Sequence, residues 1–313
     1  KFSELPQSTA ELILKKRICN FSKSGVRSKI HRPVYCDYVL LKEFDASGNV
    51  SIEHRFLGLY TSSVYYRTAL EIPLVRQKVN QVLSKSDFSP NGHSIKDLLQ
   101  VINVFPRDEL FQISREQLFN TAIDITQIQE TRVSRLFIRK DSYGKFFSCL
   151  VYVPRDIYNT QIRIKLQIFL QSNLNAEEVD FNTYFSESNL ARIHFVLRVP
   201  NIHQLSYSLD DLESRMVEEI KPWDDRFLEA LNARYPEKQA IQLYELHSNC
   251  FSAAYKETYR GATAVLDTQY IEQVAASGQL ALTLSDSTDE PGAEFSFKIF
   301  SYRYQLSLSD VVP

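Results

Sequence analysis

Alternating apolar and polar residues predict two β-hairpins in the chain. The first is formed by 34–45 (VYCDYVLLKEFD) and 49–61 (NVSIEHRFLGLYT), which meet at a polar ASGN turn. The second is formed by 132–140 (RVSRLFIRK) and 145–153 (KFFSCLVYV), which flank a DSYG turn. Pro154 ends the last strand because proline has no N–H for a sheet ladder. These hairpins indicate antiparallel sheets.

Apolar residues at a 3.6-residue spacing predict helices around the hairpins. Two of them, 71–86 and 95–105, follow the first hairpin. Ser114 and Gln117 have the spacing of a capping box and open a third helix, which runs to about Gln129. Helices combined with hairpins predict an α+β fold.

The central elements are predicted to form a ferredoxin-like unit. The short apolar run 109–113 (ELFQI) is interpreted as its first strand, and Asn159 as the N-cap of its second helix. A strand at 179–185 (VDFNTYF) then completes a βαββαβ order, and 191–199 (ARIHFVLRV) adds one more strand. Alternation along that last strand places His194 on a polar, surface-exposed face.

The remaining segments predict a helical linker and an incomplete third unit. The linker is interrupted by Pro222 and Pro236. The third unit is predicted to begin with a strand at 263–267 (TAVLD) and to continue as a helix and two strands, QLALTLSD and EFSFKIFSYR. The predicted domains, in chain order, are a first module with a flanking helix (1–107), a second module (108–200), the helical linker (201–259) and the truncated start of a third module (260–313).

Charge and composition narrow the class of protein. The 313 residues include 36 basic and 38 acidic side chains, a net charge of −2, whereas nucleic-acid binders usually carry a basic excess. Strand 145–153 is as aromatic as an RNA-recognition sheet, but its order Gly144-Lys145-Phe146-Phe147 departs from that motif. We therefore expect no nucleic-acid partner and interpret Phe147 and the alternate residues after it as core.

Long apolar runs and metal-ligand spacings are both missing from the sequence. No run reaches the roughly 18–20 residues that a membrane helix needs, and the N-terminus lacks the layout of a signal peptide. The four cysteines and six histidines are scattered without CxxC or HExxH spacing. We expect a cytoplasmic segment with no membrane partner, no metal site and no catalytic residue.

Several blocks of the chain resemble the large, single-chain class of bacterial NAD-specific glutamate dehydrogenases. They follow one another in the order found in that class, and together they span nearly the whole chain. The blocks are 53–65 (EHRFLGLYTSSVY), 105–114 (FPRDELFQIS), 135–163 (RLFIRKDSYGKFFSCLVYVPRDIYNTQIR), 186–198 (SESNLARIHFVLR) and 306–313 (LSLSDVVP).

The resemblance implies tandem ACT-like, ferredoxin-related modules that precede a catalytic region with a Rossmann domain. The parent enzyme is expected to deaminate L-glutamate oxidatively to 2-oxoglutarate with NAD and to be a homo-oligomer. The catalytic region of the same chain is then the partner of this segment. The segment itself is expected to bind no cofactor, since it has no GxGxxG motif. Lys1 in place of an initiator methionine agrees with a fragment of a longer protein.

Two PRD motifs and a basic strand edge supply candidate arginines. PRD occurs at 106–108 and at 154–156. Arg155 and Asp156 lie between a strand and a helix, where a carboxylate ligand or a neighbouring module would meet a guanidinium and helix amides. The alternative is that they pair locally and shape the turn. Arg139 belongs to the basic edge of the second hairpin, which faces either solvent or another subunit.

The segment 58–67 (GLYTSSVYYR) is a candidate interface or small-ligand loop. Tyr60, Ser62, Ser63 and Arg67 combine an aromatic ring, hydroxyl groups and a cation, as interfaces often do. The alternative is a capped connection from strand to helix whose tyrosines cover the core.

Two functions stay open for the segment. In the first, its modules bind an amino-acid effector and shift the activity of the parent enzyme. In the second, it is a purely architectural oligomerisation arm. An RRM-like RNA-binding module is a third alternative, against which the charge balance counts.

Overall fold

The chain divides into two compact units, with the boundary between Ile220 and Lys221. The block 306–313 and the chain start, both used above, lie outside the described residues. The computed structural model describes residues 16–30, 33–89, 92–129, 131–186, 188–200, 202, 205–286 and 295–303.

The first unit begins with a three-stranded antiparallel meander in the order β1-β2-β3. Its strands are β1 (Cys19–Arg27), β2 (Tyr35–Phe44) and β3 (Val50–Gly58). The hairpin predicted over 34–61 is confirmed. Asp45 Oδ1 closes its turn by accepting the backbone N–H groups of Ser47 and Asn49 at 2.9 and 2.8 Å. Gly48 has a φ of +75°, which favours glycine.

A layer of helices follows the meander. The elements are α1 (Ser62–Tyr66), a 3-10 turn (Ala69–Glu71), α2 (Val75–Lys85), α3 (His93–Val104), α4 (Arg107–Gln112) and α5 (Arg115–Ile128). The N-cap predicted at Ser114 is confirmed, because its Oγ accepts the backbone N–H of Gln117 at 3.2 Å. The predicted helices 71–86 and 95–105 correspond to α2 and α3.

The strand predicted at 109–113 is wrong, because these residues form α4 and its C-terminal end. A five-residue apolar run shows no period that separates a strand from a short helix. Here a side chain that is remote in sequence stabilises the helix. Lys78 Nζ donates to the carbonyl oxygens of Leu110 and Ile113, both at 2.6 Å, and so satisfies acceptors that the end of a helix leaves unpaired.

A second sheet has the strand order β4-β5-β7-β6, with every neighbouring pair antiparallel. The elements are β4 (Arg135–Lys140), β5 (Phe146–Pro154), α6 (Thr160–Asn173), β6 (Glu178–Phe185), β7 (Leu190–Arg198) and α7 (Leu209–Ile220). The second hairpin is confirmed, as is the N-cap at Asn159, whose Oδ1 accepts the N–H of Ile162 at 2.9 Å.

This sheet keeps the ferredoxin-like arrangement although its chain order is ββαββα. In a βαββαβ unit the first strand lies in the middle of the sheet. Here β7 holds that position between β5 and β6, and α7 supplies the helix that would follow a first strand. The α+β class with a ferredoxin-like module is therefore confirmed, without the strand predicted at 109–113.

Both faces of the second sheet are covered. One face packs on α6 and α7, and the other joins the core of the helical layer through Leu150 and Tyr152. All residues of β5 are consequently buried, and Phe147 is fully enclosed. The interpretation of Phe147 as core is confirmed, and β5 has no open face on which bases could stack.

The second unit is mainly helical. Its elements are α8 (Trp223–Arg234), α9 (Glu237–His247), α10 (Ala253–Thr258), α11 (Gly261–Ser277), β8 (Ala281–Asp286) and β9 (Phe295–Phe300). The strand predicted at 263–267 is wrong, because these residues lie inside α11. As at 109–113, the apolar run was too short to reveal its period. The two strands predicted after it are confirmed as the antiparallel pair β8–β9. The module boundaries drawn from the sequence stay predictions.

Gly261→Ala is expected to destabilise the second unit by about 1–2 kcal/mol. A Cβ at Gly261 would lie 2.7 Å from the backbone oxygen of Arg226 and 2.7 Å from the nitrogen of Phe227 in α8, so the two helices must move apart. Denaturation followed by the fluorescence of Trp223, the only tryptophan of the chain, measures the loss, since its ring stacks on Phe227 at 5.2 Å. Gly58→Ala is the control; because Gly58 lies in the first unit its unfolding is followed by circular dichroism, and its Cβ would meet no atom within 4 Å. Equal stability of wild type and Gly261→Ala would contradict the prediction.

Candidate functional site

A cavity of about 440 Å³ lies inside the first unit. It is bounded by β1 and β2, by the turn between α3 and α4, and by the faces of β6 and β7 that turn away from α6 and α7. Its volume is in the range of small-molecule sites. Charged side chains from separate parts of the sequence meet on its wall.

Lys23 connects two carboxylates on one part of the wall. Its Nζ lies 2.7 Å from Asp37 Oδ1 and 2.5 Å from Asp108 Oδ2, and the hydroxyl of Tyr65 donates to Asp108 Oδ1 at 2.9 Å. Burial and the neighbouring Asp108 raise the pKa of Asp37 to about 6. Burial opposes the charged form of Lys23, but the two carboxylates outweigh it and raise the lysine pKa. The three groups form one coupled ionic cluster.

Two arginines on the same wall have no carboxylate partner among the described residues. Arg107 donates from Nη2 to the carbonyl oxygen of Arg67 at 2.9 Å, while its buried Nη1 has no hydrogen-bond partner in the described chain. Arg192 is 7% exposed; it donates from Nη1 to the Val104 carbonyl, and its buried Nε has no such partner either. The Arg192 guanidinium lies 4.8 Å from the ring centre of Tyr184. Burial lowers the pKa of both arginines, and the charge of Arg192 lowers that of Arg107 further. Two positive charges are thus held close together without an anion.

His194 also lines the cavity, and the surface position predicted for it was wrong. It lies on the face of β7 that the helical layer covers, and its Nε2 is 2.8 Å from Ser148 Oγ. Burial lowers its pKa to about 4, so the ring is neutral at pH 7. The period-2 pattern predicted which face the side chain occupies, but not that a second layer packs there.

Arg139 is buried, not at an exposed basic edge. It is 7% exposed and forms a two-pronged pair with the carboxylate of Glu109, and its Nη2 also donates to Gln112 Oε1 at 2.8 Å. Arg139 and Glu109 line a second, smaller cavity of about 140 Å³. The side chain joins the second sheet to α4 and is a structural contact inside the unit.

Arg155 and Asp156 lie apart from both cavities and are exposed. Arg155 Nη1 donates to the Ser186 carbonyl at 3.0 Å, and its guanidinium lies 5.5 Å from the ring centre of Phe185. Asp156 pairs with Arg132 at 2.9 Å. Exposed contacts of this kind contribute little to stability. The structure therefore does not bring these two residues together with the loop 58–67.

The loop 58–67 lies beside the larger cavity. Tyr60 stacks on Phe111 with ring centres 4.7 Å apart, and burial raises its hydroxyl pKa well above the usual value. Ser62 and Ser63 are exposed in α1, and Arg67 contributes its backbone carbonyl to Arg107. The loop thus supports the cavity wall, on which its Leu59 and Tyr65 lie.

The residues that matter most in the cavity were not selected from the sequence. Arg107 and Asp108 belong to the first PRD motif, yet only the second motif suggested a site. Lys23 and Asp37 had no local signal at all. The polar face of β7, with Arg192 and His194, was the one pattern that could have been followed further.

Neither a metal site nor a membrane span emerges from the described segments. No three His, Cys, Asp or Glu side chains there are grouped closely enough to hold a metal ion. No helix in the same segments has the length and apolar character needed to cross a bilayer.

Three family models match the chain, and together they cover more than half of it. They describe the ACT2 domain of glutamate dehydrogenase (residues 135–224), its helical motif 1 (72–131) and its helical motif 2 (230–274). Over 95% of its length the chain is 41% identical to the NAD-specific glutamate dehydrogenase of Halomonas elongata and 37% identical to that of Pseudomonas aeruginosa. The protein of the same name from Mycobacterium tuberculosis is 28% identical over 93% of the chain. The chain spans only 18% of the length of each relative.

Proposed function

The chain belongs to the family of NAD-specific glutamate dehydrogenases, in the part with the ACT2 domain and two helical motifs, and we propose that it is a non-catalytic regulatory and assembly segment of such an enzyme. In this proposal the parent enzyme deaminates L-glutamate to 2-oxoglutarate with NAD, in the cytoplasm and as a homo-oligomer. The catalytic region of the same chain is the partner that receives the signal. The segment supplies no catalytic group and no cofactor site of its own.

The observation that carries the regulatory part is the 440 Å³ cavity with its charged wall. A purely architectural segment would gain little from burying Arg192 and half-burying Arg107 with no carboxylate beside either of them in the described chain, because an uncompensated buried charge is costly. A ligand that supplies the missing negative charge relieves that cost, and the relief contributes to the free energy of binding. We propose that an amino-acid effector occupies it and stabilises one arrangement of the surrounding layers.

The architectural alternative is favoured by a different surface. Phe56 and Leu57 on β3 are each 54% exposed, and Ile52 on the same strand is 49% exposed. β3 is also the edge of its sheet, so it has unpaired backbone groups as well as apolar side chains. Such an edge suits contact with another part of the enzyme, and the two functions do not exclude each other.

Thermal melting of the 313-residue chain with single amino acids, 2-oxoglutarate, NAD and a short single-stranded RNA tests the regulatory proposal. A ligand at 100 times its dissociation constant adds about 2.7 kcal/mol to the stability of the state that binds it. We expect one or a few amino acids to raise the melting midpoint, and NAD and RNA to leave it unchanged. A midpoint that no amino acid moves would count against an effector site within this segment and favour the architectural function.

Arg155 and Asp156 are proposed to contact a neighbouring module. Arg155→Ala in the complete enzyme is expected to weaken oligomer assembly or the response to an amino acid, while the stability of the segment changes by less than about 1 kcal/mol because the contacts of Arg155 are exposed. Analytical ultracentrifugation together with steady-state kinetics measures both. Unchanged assembly and unchanged kinetics would remove these residues from the proposal.

A further inference from the structure

We propose that Arg107 and Arg192 form a carboxylate-binding site in the larger cavity, with Asp37 placed to receive the ammonium group of an α-amino acid. The inference rests on the proposed regulatory function and gives it a site and a ligand chemistry. It differs from the expectation drawn from the sequence, which pointed to Arg155 instead.

The positive half of the site follows from the two arginines. A guanidinium taken out of water loses several kcal/mol of solvation unless an anion replaces the water. Arg192 is buried and Arg107 is half-buried, and both face neutral groups: two backbone carbonyls, the ring of Tyr184 and the hydroxyl of Tyr152, which is hydrogen-bonded to Arg192. Their positive charges also repel one another. Carbonyl oxygens satisfy some N–H groups but leave the charge uncompensated. An anion between them would relieve both the repulsion and the lack of partners.

The other charges on the wall do not supply that anion. Asp37 and Asp108 share Lys23, and Asp180 lies 2.8 Å from Arg27, a residue that does not line the cavity. Every carboxylate of the lining therefore already has a cation, while neither arginine has a carboxylate partner within the described part of the chain. The complementary ligand must bring its own negative group.

The type of anion is indicated by the shape of the donors and by a neighbouring acceptor. The planar, forked guanidinium matches the two oxygens of a carboxylate or a phosphate. Asp37 lines the same cavity, and its buried Oδ2 accepts no hydrogen bond among the described residues. A phosphate brings acceptor oxygens and would be repelled there, whereas the ammonium group of an amino acid would donate to it. The two halves together select an α-amino carboxylate.

Ligand-dependent melting of the 313-residue chain and three variants tests the site. Arg107→Gln removes one guanidinium group. Arg192→Lys also removes a guanidinium but keeps the positive charge, and keeping the charge lowers the risk that a substitution at this buried position prevents folding. Arg76→Gln is the matched control, because Arg76 is exposed on α2, away from the cavity. Each protein is titrated with the proteinogenic amino acids, propionate and inorganic phosphate, against sodium chloride at equal ionic strength.

We expect an amino acid to raise the midpoint of wild type and Arg76→Gln. In Arg107→Gln and Arg192→Lys the apparent affinity should fall at least about 10-fold, which is 1.4 kcal/mol for a lost charged contact. An amino-acid response that both cavity variants retain in full would overturn the site and leave the effector function standing. A response to propionate alone that needs both arginines would support the carboxylate site and remove the amino acid as its ligand.

A response to phosphate as strong as that to any carboxylate would overturn the role given to Asp37. If no ligand shifts the wild-type midpoint, the site is overturned. The regulatory proposal is then decided separately, on the complete enzyme, by whether the same amino acids change its rate.

Discussion

Replacing Arg139 with methionine is expected to lower the free energy of unfolding of the first unit by about 3–5 kcal/mol. Arg139 binds both oxygens of the Glu109 carboxylate, and the two residues are 7% and 3% exposed. Burial alone would raise the pKa of Glu109, but the charge and hydrogen bonds of Arg139 outweigh it and hold that pKa below the usual value. Without Arg139 the buried carboxylate loses its one ion-pair partner among the described residues, and Gln112 loses a donor.

Urea denaturation followed by far-ultraviolet circular dichroism measures this loss. Trp223 lies in the second unit, so its fluorescence gives an internal reference that should unfold at the wild-type midpoint. The matched variant is Glu109→Leu combined with Arg139→Met, which replaces the pair with apolar groups and should recover much of the stability. A single variant that loses less than about 1 kcal/mol would show that water reaches the carboxylate and that the pair is effectively exposed.

His194 is expected to make the first unit less stable as the pH falls from about 6.5 to about 4. Its pKa is about 4 in the folded chain and about 6.5 when exposed, so the unfolded chain binds more protons between these values. Stability therefore rises with pH through this window, and the contribution is fully present above pH 6.5. One pKa unit corresponds to about 1.4 kcal/mol, so the full shift of His194 corresponds to roughly 3–4 kcal/mol.

The groups that surround His194 determine this pKa. Burial is the largest cause and favours the neutral ring, and the positive charges of Arg192 and Lys23 act in the same direction. Glu109 and Asp108 oppose them. The Ser148 hydroxyl, 2.8 Å from Nε2, pairs with the ring whether or not it is charged.

Comparison of wild type with His194→Gln isolates the effect. Asp37 works in the opposite direction, since its raised pKa adds stability at low pH that is lost as the pH approaches 6. That contribution is common to both proteins, so the difference between their unfolding free energies at pH 4.5 and pH 7 reports on His194. We expect this difference to change by about 2 kcal/mol across that range. A difference independent of pH would mean that the ring is solvated and titrates normally.

The cavity illustrates why the sequence pointed to Arg155 and not to Arg192. Arg155 was selected because its local setting, at a strand end before a helix, is typical of anion sites. Arg192 has no such setting, since it is one polar residue in an alternating strand. The anion-binding role proposed for Arg192 depends on burial by the helical layer and on the proximity of Arg107. Neither feature can be recognised in the sequence near Arg192.

Local chemistry determined a large part of this fold. The caps at Ser114 and Asn159 and the turn closed by Asp45 depend on residues within a few positions of one another, so they could be read directly from the chain. The hairpins were equally visible, because alternation over many residues leaves little ambiguity. The resemblance carried by long, ordered blocks also needed no structure.

Tertiary structure determined the secondary structure of the short apolar segments and the surroundings of the buried charged residues. The runs 109–113 and 263–267 are too short to show a period, and both are helical because of what packs around them. Arg139 is internal because α4 brings Glu109 to it. The charged cavity exists because residues remote in sequence, from Lys23 to Arg192, are buried on one wall, where low polarity makes each missing partner energetically important.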